Sequence, residues 1–192
     1  MKTYLAVLTT LLLVSVPHGA RAQGTVVVNG GFDTSAAGWT LSDGSFFGAS
    51  FGNPPGSVRL DNANPSPSIT PSASQTVTGL VSGATYAVSG DYLLQGKNPP
   101  PGNSFGVAVD GVFLFQTAAP IDINWYSFNF LYSATDSSAV LSLASMLNGT
   151  GIPYIIDNIA MYRIPEPSSS LLMGLGVLAS AVFLKHRRRQ LL

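Results

Sequence analysis

The stretch Thr85-Tyr86-Ala87-Val88-Ser89-Gly90-Asp91-Tyr92-Leu93-Leu94 decides the fold. Tyr86, Val88, Gly90, Tyr92 and Leu94 alternate with Ala87, Ser89, Asp91 and Leu93. Successive side chains of a strand point to opposite faces, so this pattern describes a strand with one face turned inward. A helix would repeat its apolar positions every three or four residues, and no helix-length segment of residues 23–164 does so.

Working outward, the alternation recurs. Phe105, Val107 and Val109 share one face, and Asp110-Gly111 then gives the two-residue signal of a type I′ hairpin, with residues 112–115 returning antiparallel. Tyr126, Phe128, Phe130 and Tyr132 alternate with Ser127, Asn129 and Leu131. Residues 140–144 and 154–162 complete the downstream set. Upstream, residues 79–83 form a turn, and residues 57–60 and 74–77 are short strands on either side of a Pro/Ser-rich loop. Thr25-Val26-Val27-Val28 is a β-branched run that ends at Asn29-Gly30-Gly31. About eight or nine strands predict an all-β domain over residues 23–164, a β-sandwich rather than a barrel or an α/β fold.

The 192 residues leave room for one such domain plus terminal segments. Residues 1–22 have the make-up of a secretory signal peptide. Lys2 opens it, residues 5–16 are apolar, Pro17 and Gly19 break the run, and Ala20-Arg21-Ala22 predicts cleavage before Gln23 by signal peptidase. The apolar run falls short of the ~20 residues that a spanning helix needs. At the other end, Pro165 and Pro167 terminate the domain. Residues 168–184 carry no charge and predict a transmembrane helix about 26 Å long, somewhat under the ~30 Å hydrocarbon core. Lys185, Arg187, Arg188 and Arg189 form a basic tail over 185–189, which stays cytoplasmic by the positive-inside rule.

Pro165-Glu166-Pro167, a spanning segment and the cluster ending in Arg187, Arg188 and Arg189 resemble the PEP-CTERM sorting signal, which covers residues 165–189 here. That resemblance implies an exosortase that cuts near the Pro-Glu-Pro. It further implies an inner-membrane-anchored precursor in a Gram-negative bacterium that makes an exopolysaccharide, with the mature domain at the cell surface or outside the cell. The alternative is a plain membrane anchor that no enzyme processes. Within the domain, Asn29-Gly30-Gly31-Phe32-Asp33 with Gly38-Trp39, Ser74-Gln75-Thr76-Val77 with Gly83-Ala84-Thr85-Tyr86, and Ile155-Ile156-Asp157-Asn158-Ile159 resemble galactose-binding-like jelly rolls, including carbohydrate-binding modules. The resemblance implies a jelly-roll sandwich, a carbohydrate ligand and a structural calcium ion held by Asp33 and Asp157. A fibronectin-type Greek-key sandwich is the alternative fold. Turn and surface roles are the alternative for the two aspartates.

Composition narrows the chemistry. Residues 23–164 hold three basic side chains against eight aspartates, an excess of five negative charges, which leaves no basic footprint for nucleic acid. The chain has no cysteine, and its two histidines, His18 and His186, lie in the terminal segments. Triads with an imidazole base, thiol nucleophiles and His- or Cys-ligated zinc are therefore excluded from the domain. Lys97 lies in a Gly/Pro-rich loop, where its amine keeps its charge. The aspartates lie mainly at turns, so a pair acting as a glycosidase is the lesser reading, and the domain is expected not to be an enzyme. Asn148-Gly149-Thr150 matches a glycosylation acceptor but is expected to be a turn. The rings expected to stack on sugar are Trp125, Tyr126, Phe47 and Tyr92, with Asn124, Gln95 and Asn103 orienting hydroxyls. Trp39 is expected in the core. A structural or adhesive surface domain that binds other proteins is the competing expectation.

Overall fold

The computed structural model describes residues 24–42, 44–52, 54–61, 70–96, 99, 101–146 and 152–165. The signal segment with Ala20, Ala22 and Gln23, the tail from Glu166 through Pro167 to Arg187, Arg188 and Arg189, and Lys97 and Asn148 lie outside them. Among the described residues no helix is long and apolar enough to cross a membrane.

Among the described residues, ten strands follow one another along the unit Gln23–Ile164. They are β1 (Thr40–Leu41), β2 (Ser45–Gly48), β3 (Ser57–Leu60), β4 (Ser72–Thr78) and β5 (Thr85–Leu94), then β6 (Ser104–Val109), β7 (Val112–Ala118), β8 (Trp125–Ser133), β9 (Ser138–Met146) and β10 (Tyr154–Arg163). They form two antiparallel five-stranded sheets, in the orders β1-β4-β9-β6-β7 and β2-β3-β10-β5-β8. The fold is the all-β sandwich that the alternation predicts, in the jelly-roll form that the resemblance implies.

Strand β5 shows why. Its alternation is realised over its whole length, with Tyr86, Val88, Gly90, Tyr92 and Leu94 buried. Between the sheets, Phe105 lies 5.1 Å from the Tyr92 ring, 5.5 Å from Tyr154 and 6.0 Å from Phe128, centroid to centroid. Fully burying a side chain such as Leu60, Leu141 or Phe105 contributes about 1.5–3 kcal/mol, so this layer supplies most of the stability of a chain without disulfides. The Asp110-Gly111 hairpin forms as expected. Both residues have positive φ, 50° and 79°, the geometry that a type I′ turn demands.

Two readings need correction. Thr25-Val26-Val27-Val28 is not a regular strand: Val26 N donates to Met161 O and Met161 N to the Thr25 hydroxyl, while Val27 N and Val28 N donate to side chains. No strand is expected from the sequence at Phe46 and Phe47, yet both belong to the edge strand β2. Trp39 is buried as expected, 5.2 Å from Phe32, and its indole N–H donates to Val28 O and Asn29 O.

Candidate functional site

Directly paired residues on neighbouring strands point to the same face. Because Val58, Leu60, Tyr92, Leu94, Tyr154 and Ile156 face the core, the residues between them face outward. The register therefore places one row across the whole outer face of the β2-β3-β10-β5-β8 sheet. Phe46 pairs with Arg59, Arg59 with Ile155, Ile155 with Leu93, and Leu93 with Trp125. Phe46 is 45% exposed at one edge and Trp125 stands partly exposed at the other, while between them Ile155 is covered, 1% exposed, and Leu93 is half-buried.

Arg59 organises one end of this row. Its guanidinium carbon lies 5.4 Å from the centre of the Phe46 ring, within cation–π range, and its Nη2 is 2.9 Å from Asp61 Oδ2. Polar groups flank the row. Asp91 Oδ1 accepts from the Ser127 hydroxyl at 2.7 Å, and its Oδ2 accepts from Asn158 Nδ2 at 3.0 Å. Further along the same face stand Tyr162, 42% exposed, and Leu131, both paired with Ala87.

The expected ligand residues divide. Trp125 faces outward. Tyr126 points to the opposite face, where its ring stacks on Tyr92 at 5.7 Å, and Tyr92 is a core ring, only 6% exposed. Phe47 pairs with Val58 and packs against the core. These three rings turn inward because the period-two pattern assigns them to the buried side, and Phe46 takes the outward place beside Phe47. Asn124, next to Trp125, is tied to Asp122: its backbone N–H donates to Oδ1 and its Nδ2 to Oδ2. The Tyr126 hydroxyl donates to the same carboxylate at 2.8 Å. That bond above all holds Asp122 below the usual carboxylate range and raises Tyr126. Gln95 follows β5, with its N–H donating to Pro153 O, and Asn103 precedes β6 and is 3% exposed. Among the described residues, Gln95 Oε1 and both polar atoms of the Asn103 side chain meet no hydrogen-bond partner. Phe46 and Arg59 escaped the sequence reading, although Ser57-Val58-Arg59-Leu60 carries the alternation that turns Arg59 outward.

Asp33 and Asp157 lie on segments that meet. Gly56, just before β3, backs onto Phe32 O and the Asp33 Cα, so closely that a Cβ there would come within 2.5 and 2.8 Å of them. Ile159 N donates to Gly30 O at 2.8 Å, beside the β10 bulge that follows Asp157. Asp33 is exposed, whereas Asp157 is fully buried and its Oδ1 accepts from Asn158 N. Among the described residues no three His, Cys, Asp or Glu side chains gather into a metal-binding group. A calcium ion at this junction would draw most of its oxygens from backbone carbonyls.

The fold is that of carbohydrate-binding-module jelly rolls. The CBM22-1 xylan-binding domain from Paenibacillus barcinonensis superposes with a TM-score of 0.54 at 18% identity, over 77% of this chain and 99% of that one. TmCBM61, solved in complex with beta-1,4-galactotriose, gives 0.56 at 13% identity, over 74% and 100%. A cyclase from Fischerella sp. TAU, bound to 4-(1H-indol-3-yl)butan-2-one, gives 0.58 at 15% identity, over 77% and 100%. The chain spans only 21% of a bacteriophage tailspike domain that it also resembles. At these identities the likeness is one of fold. Residues 163–189 match the PEP-CTERM protein-sorting motif, so the chain carries that motif after its sandwich. A sequence comparison with the curated proteins finds no match.

Proposed function

We propose that this is a non-catalytic surface protein that binds carbohydrate through the outer face of the β2-β3-β10-β5-β8 sheet. The carrying observation is the register row from Phe46 to Trp125. It sets two at least partly exposed aromatic rings at the two edges of one sheet face, with Asp91, Ser127 and Arg59 on the same face to meet hydroxyls. Sugars present apolar C–H faces and a hydroxyl rim, which suits ring faces flanked by polar groups. The PEP-CTERM motif supports export and processing by an exosortase at Pro165-Glu166-Pro167, after removal of a signal at Ala22. The cell's own exopolysaccharide is then the nearest glycan. Among the described residues no cluster of His, Cys, Asp or Glu gathers that would supply a metal centre for hydrolysis.

The outer face of the other sheet favours a second reading, a structural or protein-binding role. Ser74, Thr76, Ser142, Ala144, Gly106 and Ala108 stand there, small and uncharged, with Phe113 at the rim. Depletion of the detergent-solubilised chain by insoluble polysaccharides separates the two. Retention by one glycan, lost in Trp125→Ala, supports the first reading; passage through every resin supports the second.

A further inference from the structure

We propose that this chain forms a two-fold dimer in which β8 pairs antiparallel with β8 of a second copy. The two five-stranded sheets that end on β8 then join into one continuous sheet. Glycan binding is not required for this contact.

An edge strand leaves alternate N–H and C=O groups unpaired and offers them to another chain. Among the described residues, the two sheets end on four such strands, β1, β7, β2 and β8. Three are blunted. Strand β1 has two residues and β2 four, so each offers only a short ladder. Strand β7 bulges at Leu114, where its pairing with β6 shifts register between Val107 and Ala108. Strand β8 has no such device. Its nine residues pair with β5 without a break, and none of them is charged, Gly or Pro.

The sequence of β8 names the partner. Tyr126-Ser127-Phe128-Asn129-Phe130-Leu131-Tyr132 reads nearly the same in both directions about Asn129. A two-fold axis through Asn129 sets Tyr126 opposite Tyr132 and Phe128 opposite Phe130, all on the core-facing side. Aromatic residues directly opposite each other stabilise an antiparallel pair. Tyr126 and Phe130 are only half-buried, so a second copy covers ring surface that now meets water. Ser127 and Leu131 alone break the symmetry, and both are exposed on the outer face. Asn129 meets its own counterpart there, and an amide side chain both donates and accepts.

The other layer adds to the contact. Strand β7 ends its sheet on the same side, with Phe115 5.4 Å from Phe128, and its Val112 and Phe113 are 61% and 46% exposed. An edge of nine residues is about 30 Å long. Two layers deep, it matches the scale of the ~800 Å² that each partner of a stable dimer buries. Each domain also carries an excess of five negative charges, so two copies meet most readily along an edge that has none.

Sedimentation equilibrium of the full chain in density-matched detergent tests this. The parent chain is expected to be a dimer that tightens as salt screens the acidic excess. Asn129→Lys sets like charges face to face at the axis and should weaken association roughly tenfold or more. Asn129 is exposed, and the circular dichroism of the variant checks that the fold is kept. The chain has no cysteine, so Asn129→Cys adds a single thiol. Opposed Cβ atoms in an antiparallel pair lie about 4.5–5.5 Å apart, close to disulfide reach. Air oxidation should therefore link Asn129→Cys chains in pairs, whereas Thr76→Cys, exposed on the other sheet, should stay single. A monomeric parent chain overturns the inference. So does a dimer that Asn129→Lys leaves intact, which would put the contact elsewhere in the chain.

Discussion

The side-chain amide of Gln75 pairs with both backbone polar groups of Val28. Its Oε1 accepts from Val28 N, and its Nε2 donates to Val28 O, each at 2.8 Å; Nε2 also donates to Gly38 O at 3.1 Å. Gln75 is 5% exposed and projects inward from β4 between Ala73 and Val77. It stands in for a neighbouring strand beside a segment that is not one. Gln75→Ala strands the Val28 amide and one acceptor, so a loss of about 2–3 kcal/mol is expected in urea unfolding. Gln75→Glu keeps the acceptor but turns a carboxylate on two carbonyls, and should cost at least as much.

The hairpin residue Asp110 links the two sheets. Its Oδ1 accepts from Val140 N on β9 at 2.8 Å, and its Oδ2 accepts from the Tyr132 hydroxyl on β8 at 3.2 Å. Asn tolerates the positive φ and keeps an acceptor, so Asp110→Asn is expected to lose well under 1 kcal/mol. Asp110→Ala gives up both bonds in a strained conformation and should lose about 1–2 kcal/mol, read from thermal melts of the two variants side by side.

Burial pushes the phenols of Tyr154 and Tyr132 above their ordinary value, and Asp110 adds to the shift at Tyr132. The unfolded chain releases these protons near pH 10, while the folded chain still holds them. The unfolded state then binds fewer protons, so stability is intact below about pH 10 and falls as pH rises beyond it. Tyr154→Phe should shallow that alkaline decline. At neutral pH it should cost little, because the Tyr154 hydroxyl meets no hydrogen-bond partner among the described residues. An alkaline melting curve identical to that of the parent chain would contradict this.

At the junction of Asp33 and Asp157, calcium is expected to raise the melting temperature, chelator to reverse the rise, and Asp157→Asn to remove the response. An ion bound only by the folded form stabilises it by about 2.7 kcal/mol at a hundredfold excess over its Kd. A melting temperature indifferent to both additions would mean that the junction is held by its own hydrogen bonds.

Much of the fold was legible because its strands are long and one-sided. Residues 85–94 alternate without a break and form β5 over the same span. Asp110-Gly111 announces its hairpin because few dipeptides accept two positive φ values in a row. Strand β2 was hidden: four residues, Ser45–Gly48, are too few for a period, and they are strand only because β3 pairs with them. Thr25-Val26-Val27-Val28 failed in the opposite sense, its β-branched side chains promising a ladder that the glutamine of β4 partly replaces. The same limits shaped the site. Trp125 could be named for its ring; the alternation itself sets Tyr92 and Tyr126 on the inward faces of β5 and β8, whereas only the pairing of β2 with β3 turns Phe47 inward and Phe46 outward. That Phe46 and Trp125 share a row depends on four successive pairings, three of them between strands distant in the chain.

Affinity electrophoresis through gels containing soluble polysaccharides, the producing cell's exopolysaccharide among them, tests the central claim most directly. The account predicts that one glycan retards the parent chain, and that Trp125→Ala migrates freely at an unchanged melting temperature. Free migration of the parent chain in every gel, or retardation that Trp125→Ala and Phe46→Ala both retain, would contradict it.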